Sequence, residues 1–458
     1  MSYKSKLYIY SKAIFRKNYL STKIFLEKSS HWNNEEIKSY QNNAISKILK
    51  YAINNVPYYK QLAEENKLII SEINGFNDLK KFPIATKEII SKKPNNFIVQ
   101  NSQLKRVHGS TGGSTGVPLK YVMSTDNALY SSLLLDRGWG LAGYQPGDRL
   151  AIIAGGSLVG KQKPFRKRIV EGLANVRYYS SYGMDTQQLE QYSKDIIAFQ
   201  PKFLRGYASA LNALATYMHT NGLASKLNIS AVFSTSEVLV QNVRENIEST
   251  FECEVYDGWG LNDGGATAFE CCEHNGMHID PERAYIEIIE DETTKEFGEG
   301  VGRIIITNLI DKVMPFIRYD SGDIGRVDFS KCPCGKHTPR LFVNYGRITD
   351  TIVIAGKTIG VPVLTVLMGT VPVLQYQIAK TSENQMTFRI IKAPDYNQSF
   401  EDYIRRSITE RIGNIDLVFS YVDNIIPPQG RKHKFLVDET LSKTGGHFTK
   451  IDGKVFES

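Results

Sequence analysis

The sequence predicts an α/β fold divided between a large N-terminal domain of layered α/β sheets and a small C-terminal α+β domain, on three observations. At 458 residues the chain is longer than one hydrophobic core usually organises. From about residue 100, short apolar strand runs alternate with helical stretches, the pattern of a layered domain with parallel pairing. A Gly-Arg pair near residue 346 then separates a strand-rich stretch from a shorter α+β one. The expected parts are helices over 1–100, a core over 101–345 and a small domain over 346–458.

Residues 1–28 alternate Lys4, Lys6, Lys12, Arg16, Lys17 and Lys23 with Tyr8, Ile9, Tyr10, Ile14 and Phe15. That reads as an amphipathic helix, packed on its own domain or lying on a membrane surface. Ile45, Ile48, Leu49, Ala52 and Ile53 recur at helical spacing, and Pro57 with Tyr58 and Tyr59 ends the pattern. Leu150–Ala154, after the Pro146-Gly147 turn, and Ala231–Ser236 are buried-strand runs flanked by helical stretches. Tyr285–Ile289 and Gly302–Thr307 read as successive strands, joined by an acidic glycine-containing turn over Asp291–Gly300.

Composition narrows the function classes. Hydrophobic residues at 41% and charged residues at 23% describe a soluble globular protein. The net charge of +8 is spread along the chain with no arginine-rich tail, which argues against nucleic acid as a partner. It suits polyanionic nucleotides or an acidic membrane surface. No apolar run approaches the roughly 20 residues of a membrane span, and no signal-peptide core is visible, so a cytoplasmic location is expected. Five cysteines would leave one unpaired in a disulfide scheme, so they read as reduced thiols or metal ligands.

The most informative segment runs from His108 through Gly109, Ser110, Thr111, Gly112, Gly113, Ser114, Thr115 and Gly116 to Val117-Pro118. Glycines let the backbone approach an anion closely, and successive N–H groups with hydroxyls can form a phosphate nest. Glycine content alone equally describes a Gly/Ser turn. Gly-Lys-[Ser/Thr] is missing, so this is no Walker loop. That counts against a kinase, and no paired-acid motif points to a sugar-nucleotide transferase.

A second block, Tyr256-Asp257-Gly258-Trp259-Gly260-Leu261-Asn262-Asp263, offers an aromatic ring for an adenine and a carboxylate for Mg2+, which prefers oxygen ligands. Read blandly it is a glycine-rich hairpin with Trp259 in the core. A third block, Tyr319-Asp320-Ser321-Gly322-Asp323, reads as a turn after a strand whose last carboxylate can accept two ribose hydroxyls, or as a common Ser-Gly-Asp turn. Gly346-Arg347-Ile348-Thr349-Asp350 follows, and near the C-terminus comes the basic run Arg431-Lys432-His433-Lys434. Cys332-Pro333-Cys334 presents two thiols in a tight turn. With Cys271 or its neighbour Cys272, and His278, these can complete a tetrahedral zinc shell, in a spacing unlike a standard finger. Cys253 has no evident partner.

These blocks, in this order over about residues 105–435, resemble the adenylate-forming superfamily, in its phenylacetate-CoA ligase-like and CapK-like (capsular polysaccharide biosynthesis) branch. "AINNVPYY" from Ala52 to Tyr59, Gly206–Leu211 and Ser236-Glu237-Val238-Leu239 agree with it. The resemblance implies a large adenylation domain and a small mobile C-terminal domain. It implies an ATP- and Mg2+-dependent ligase that charges a carboxylic acid with AMP, then passes the acyl group to CoA or to an amine on a sugar. A nucleotide-binding scaffold without ligase activity is the contrasting outcome.

By the same resemblance Ser110, Thr111, Gly112, Gly113, Ser114, Thr115 and Gly116 hold the phosphates, and Asp263 holds Mg2+ although the motif usually carries glutamate. Ser236, Glu237, Asp257, Trp259 and Gly260 line the nucleotide, Asp323 anchors the ribose, and Arg347 belongs to the hinge, where Thr349 replaces an aspartate. Lys432, with Lys434 as competitor, serves the adenylation step. The acyl pocket is expected between about residues 130 and 265, with Tyr207, Ala208 and Trp259 among its lining. Cys271, His278, Cys332 and Cys334 match a structural zinc knot of some relatives.

Overall fold

The structure is a computed structural model. It describes residues 18–100, 103–111, 119–154, 172, 174–181, 184–292, 294–343, 351–360, 364, 367–368, 371–423, 425 and 435–440. The basic residues up to Lys17, the loop Gly112–Gly116, Arg347, Lys432 and Lys434 lie outside these. The described residues divide into two compact units, one up to residue 343 and one from residue 351.

The first unit begins with helices α1 (Tyr19–Ser29), α2 (Asn34–Asn55) and α3 (Pro57–Glu65). Asn33 and Glu36 form a capping box that starts α2 by satisfying orphan N–H groups at both positions. Pro57 ends the α2 pattern but also opens α3 at its first position, where its missing N–H costs nothing. Tyr58 and Tyr59 are therefore helical. Tyr59 is buried and its hydroxyl donates to the Pro315 carbonyl at 3.0 Å.

A hairpin, β1 (Arg106–Ser110) and β2 (Lys120–Ser124), carries the glycine-rich loop. Ser124 caps the next helix, α4 (Thr125–Gly140), by accepting from the Asn127 N–H. Strands β3 (Leu150–Ala154), β4 (Val176–Ser180), β5 (Phe203–Gly206), β6 (Ala231–Thr235) and β7 (Glu254–Leu261) pair in parallel in the order β4-β3-β5-β6-β7. Helices α5 (Thr186–Phe199), α6 (Ala208–Thr220) and α7 (Gln241–Phe251) lie between them in sequence.

Strands β3, β5 and β6 are buried on both faces, which is why β3 and β6 read as continuous apolar runs. Ala151 and Ile153 pack against α5 and α6, while Leu150, Ile152 and Ala154 face the cluster that includes Trp139 of α4. Gly138 permits that contact: a Cβ there would meet the Phe269 ring at 2.3 Å.

Beyond β7 the sheet becomes antiparallel through β8 (Ala266–Glu270), β9 (Met277–Ile279), β10 (Ala284–Ile289), β11 (Gly302–Asn308), β12 (Tyr319–Asp328) and β13 (Arg340–Phe342). Among the described residues this makes one 11-stranded mixed sheet, matching the layered α/β expectation. Ser321–Asp323 do not form a turn after a strand as the sequence suggested. They sit inside β12 as a bulge against Arg303–Ile305, with Gly322 at φ +77°.

The second unit holds the hairpin of β14 (Thr351–Ile354) and β15 (Lys357–Gly360). It also holds a sheet ordered β18 (Asp416–Tyr421), β17 (Gln385–Lys392), β16 (Val373–Ser382), β19 (Leu436–Asp438). Helix α8 (Gln398–Ile412) buries Ile404 and Ile408 in a core with Phe388 and Ile390. No helix among the described residues is long and apolar enough to cross a membrane.

A buried ion cluster ties α1, α4 and the turn before β10 together. Arg137 donates to Asp280 Oδ1 at 2.6 Å and to both oxygens of Glu282 at 2.8 and 3.0 Å, and Ser29 donates to Glu282. Burial alone would lower the Arg137 pKa, and the charges of Asp280 and Glu282 outweigh it. Replacing Arg137 with methionine leaves two buried carboxylates uncompensated. Urea denaturation should show a loss of about 3 kcal/mol or more, with wild-type-like stability the contrary result.

Candidate functional site

The parallel strands deliver their ends to one place, the carboxyl edge of β5, β6 and β7, where open α/β sheets bind ligands. Ser236 directly follows β6 at φ +68°, an uncommon backbone for a non-glycine residue that marks this edge as constrained. Glu237 accepts from the Ser209 N–H at 2.9 Å, at the start of α6. The β7–β8 hairpin carries Trp259, Gly260 and Asp263, so the second block is both a hairpin and the bearer of the site's aromatic and acid.

Three separated motifs converge here. The Trp259 indole Nε1–H donates to Asp323 Oδ2 at 2.9 Å, which fixes the carboxylate that the β12 bulge projects. The Tyr319 hydroxyl donates to Asp263 Oδ2 at 2.9 Å. The Tyr121 phenol, in the stem of the glycine loop, is pushed up to about 12, first by burial and then by the Asp263 charge, so the stem lies beside that acid. The loop's base is closed by Thr111, whose N–H donates to the Leu119 carbonyl at 3.0 Å while its Oγ1 accepts from the Leu119 N–H at 2.9 Å. Ser110 is exposed at the end of β1.

Asp257 lies beside a narrow recess of about 20 Å3, lined also by Trp139, Arg205, Phe233, Ser234 and Gly258. Burial and then the neighbouring Glu270 charge push its carboxyl up to about 7, against hydrogen bonding from Ser234. Arg205 enters the recess from β5 and lies over the Trp139 ring, 4.6 Å from its centroid.

A second cluster forms where β12, β13, β9 and β8 lie side by side. The ligand atoms of Cys271, His278, Cys332 and Cys334 all fall within 4.8 Å of one another. Cys271 follows β8, His278 sits in β9, and Gly335 closes the Cys-x-Cys turn by donating to the Cys332 carbonyl at 3.0 Å. Cys271 and Cys332 sulfurs are 3.8 Å apart, and Cys334 Sγ is 3.3 Å from His278 Nε2. His278 Nδ1 is held by Thr338, 2.8 Å from its Oγ1 and 3.1 Å from its carbonyl, which turns Nε2 toward the thiols. Burial lowers His278 to about 4. Cys272 is exposed beside Glu273, outside the cluster, and burial pushes the Cys253 thiol up to about 12.

Sequence reading missed Arg205, Trp139 and the partner role of Tyr319. A signal existed for the first: Phe203-Leu204-Arg205-Gly206 places one charge inside an otherwise apolar buried strand.

No protein-family model matches the chain. A phenylacetate-coenzyme A ligase of Thermus thermophilus is 23% identical over 398 residues, covering 83% of this chain and 86% of that one. Protein CapK of Staphylococcus aureus is 25% identical over 333 residues, 69% of this chain and 72% of its own length. A crystal structure of 2-hydroxyisobutyryl-CoA ligase, in the postadenylation state with R3-HIB-AMP, covers 91% of this chain and 92% of that one with a TM-score of 0.67 at 18% identity. The chain shares the fold of the adenylate-forming CoA ligases. Its homologues carry the names phenylacetate-CoA ligase and CapK, as the motif order implied.

Asp257 has a checkable consequence. Its folded-state pKa lies above the ordinary 3.8, so the folded protein holds that proton more tightly, and this contribution is lost as pH rises toward 7. Compared with Asp257→Asn, wild-type stability in urea should fall between pH 5 and pH 7 by up to about 1.4 kcal/mol per pH unit. Parallel pH profiles for the two proteins would overturn it.

Proposed function

We propose that this chain is an AMP-forming acid–CoA ligase. The observation that carries the reading is the convergence of Trp259, Asp263 and Asp323 at one sheet edge beside the stem of the glycine-and-hydroxyl loop. These groups come from distant parts of the sequence and have the chemistry a nucleoside triphosphate needs. Asp323, oriented by the indole N–H, accepts the ribose hydroxyls, while Trp259 and Gly260 flank the base. Asp263 is a hard oxygen ligand, and a single carboxylate with phosphate oxygens is a common protein share for Mg2+, which would neutralise phosphate charge. Ser110, Thr111 and the loop over 112–116 hold the β- and γ-phosphates.

In the first half-reaction a carboxylate oxygen of the acid attacks the α-phosphorus. The bond to the bridging oxygen breaks, pyrophosphate leaves, and Lys432 offsets the developing negative charge. In the second, the thiolate of CoA attacks the acyl carbon and AMP departs. A small domain over 346–458, hinged near Arg347, would change position between the steps and exclude water from the adenylate. CoA is favoured as acceptor over an amino sugar by the names of the homologues, which also disfavour a non-catalytic scaffold.

The cysteine cluster fits zinc: three sulfurs and one nitrogen at close range, with the histidine already oriented by Thr338. Filled by four protein ligands, such a site is structural. It would clamp the Cys332–Gly335 turn to the β8–β9 edge.

Purified protein with ATP, Mg2+, a panel of carboxylic acids and CoA should release AMP and pyrophosphate, and should exchange labelled pyrophosphate into ATP. Lys432→Ala should cut exchange by 100-fold or more, and Trp259→Phe should raise the KM for ATP roughly tenfold, the worth of one hydrogen bond to a charge. Release of ADP, or ATP binding with no AMP from any acid, would overturn the reading. Elemental analysis should find one zinc per chain, lost in Cys332→Ser together with several degrees of thermal stability. A metal-free protein of equal stability would refute the clamp.

A further inference from the structure

Arg205 is a cation that lines the recess beside the site, and nothing in the adenylation chemistry above uses it. It stands in β5, whose other residues Phe203, Leu204 and Gly206 are buried. Arg205 itself is half-buried, and desolvation lowers its pKa from the ordinary arginine value. The titratable groups that bear on it are the phenols of Tyr178, Tyr207 and Tyr144. Among the described residues no carboxylate pairs with it: of the acids lining the recess, Asp257 is influenced by Glu270, Ser234 and Arg244, and Glu270 is paired with Arg244. The Trp139 ring, 4.6 Å away, supports its charge from one face. A ring face, however, satisfies none of the five N–H donors that a guanidinium carries in its own plane.

A half-buried guanidinium without an anion is partly desolvated with no opposite charge to offset the loss. The position of this one suggests what offsets that cost. Arg205 opens onto the recess that runs past Ser234, Asp257 and Gly258 at the carboxyl ends of β6 and β7. Trp259, one residue beyond Gly258, already touches Asp323. A molecule whose reacting carboxylate lies at the nucleotide edge would therefore extend its tail toward Arg205. The recess, at about 20 Å3, has room for a group the size of one or two waters. Trp139, Phe233 and Tyr256 wall it, so an aromatic ring enters only if these side chains move. The end of the pocket thus combines a small volume with an unmatched positive charge.

We propose that Arg205 binds the distal carboxylate of a small dicarboxylic acid, making a short dicarboxylate, rather than an aryl or alkyl monocarboxylic acid, the substrate that this chain activates. The inference rests on the acid–CoA ligase reading and specifies its acyl substrate. The second carboxylate supplies the missing anion through paired N–H···O bonds, for which a planar guanidinium is shaped. A neutral tail of equal length would cover Arg205 without supplying an anion, so discrimination against it should be large.

The test compares succinate, glutarate and adipate with butyrate, valerate, hexanoate and phenylacetate in pyrophosphate exchange and AMP release. At least one dicarboxylate should exceed its matched monocarboxylate by 100-fold or more in kcat/KM. Arg205→Gln should remove that preference while leaving the monocarboxylate rate equal or higher, and Arg205→Lys should restore part of it. Unfolding midpoints of both variants establish that they fold, and Arg205→Lys stands alone if the glutamine variant does not. A wild-type preference for phenylacetate, an alkyl acid or a hydroxylated monocarboxylate overturns the proposal and leaves the ligase reading intact. So does an Arg205→Gln loss equal for both acid classes. If no acid releases AMP, the ligase reading fails and this proposal falls with it.

Discussion

The contact on which the first unit depends is the grip of Arg137 on Asp280 and Glu282. It fixes α4, and α4 connects nearly every feature of the site. At its start, Ser124 ends the glycine-loop hairpin and caps the helix. One turn in, the Asn127 amide donates to Asp311 at 2.9 Å and its carbonyl accepts from the buried Arg283 at 3.1 Å. At its end, Gly138 lets the backbone press against Phe269, and Trp139 lies under Arg205. A helix held loosely at Arg137 would displace both the glycine-loop hairpin and the wall of the recess. Buried ion pairs are often poor stabilisers in net terms. Here the geometry argues that positional definition is what the cluster contributes.

The site itself is assembled from backbone edges. The parallel register sets Arg205 level with Phe233 and Tyr256, and Ser234 level with Asp257 one residue further along, so all of them lie near the carboxyl ends of β5 and β6. The antiparallel extension then folds back so that β12 lies close to the β7–β8 hairpin, and two aromatic donors, Trp259 and Tyr319, each orient one carboxylate. Tryptophan at position 259 is thereby consequential, since an indole N–H can only donate.

Much of this was legible in the sequence. The strand runs at Leu150 and Ala231 and the hairpin strands at Tyr285 and Gly302 announce themselves because period and apolar content agree with the final packing. The order of motifs carried the fold class. The β12 bulge was not legible: Ser-Gly-Asp is a turn by local chemistry, and only pairing with β11 keeps it extended. Choosing Cys271 over Cys272 needed β8 to end where it does, since adjacent residues on a strand face opposite ways. Arg205 was hidden for a related reason. A charge in an apolar run looks like an interruption until a neighbouring ring and an open cleft give it a place.

The bulge in β12 has one further implication. Between the pairs Arg303–Ile324 and Ile305–Asp320, one residue of β11 faces three of β12, so the surplus is two. Side chains along a strand alternate with a period of two, and an even surplus preserves parity. Ile324 stays fully buried and Tyr319 nearly so on either side of the irregularity, while the lengthened chain between them carries Asp323 to the Trp259 indole. An odd surplus would have inverted every position downstream, exposing the strand's apolar set. Length changes at this point in the chain are therefore quantised: pairs of residues can come and go with the core undisturbed, and single ones cannot.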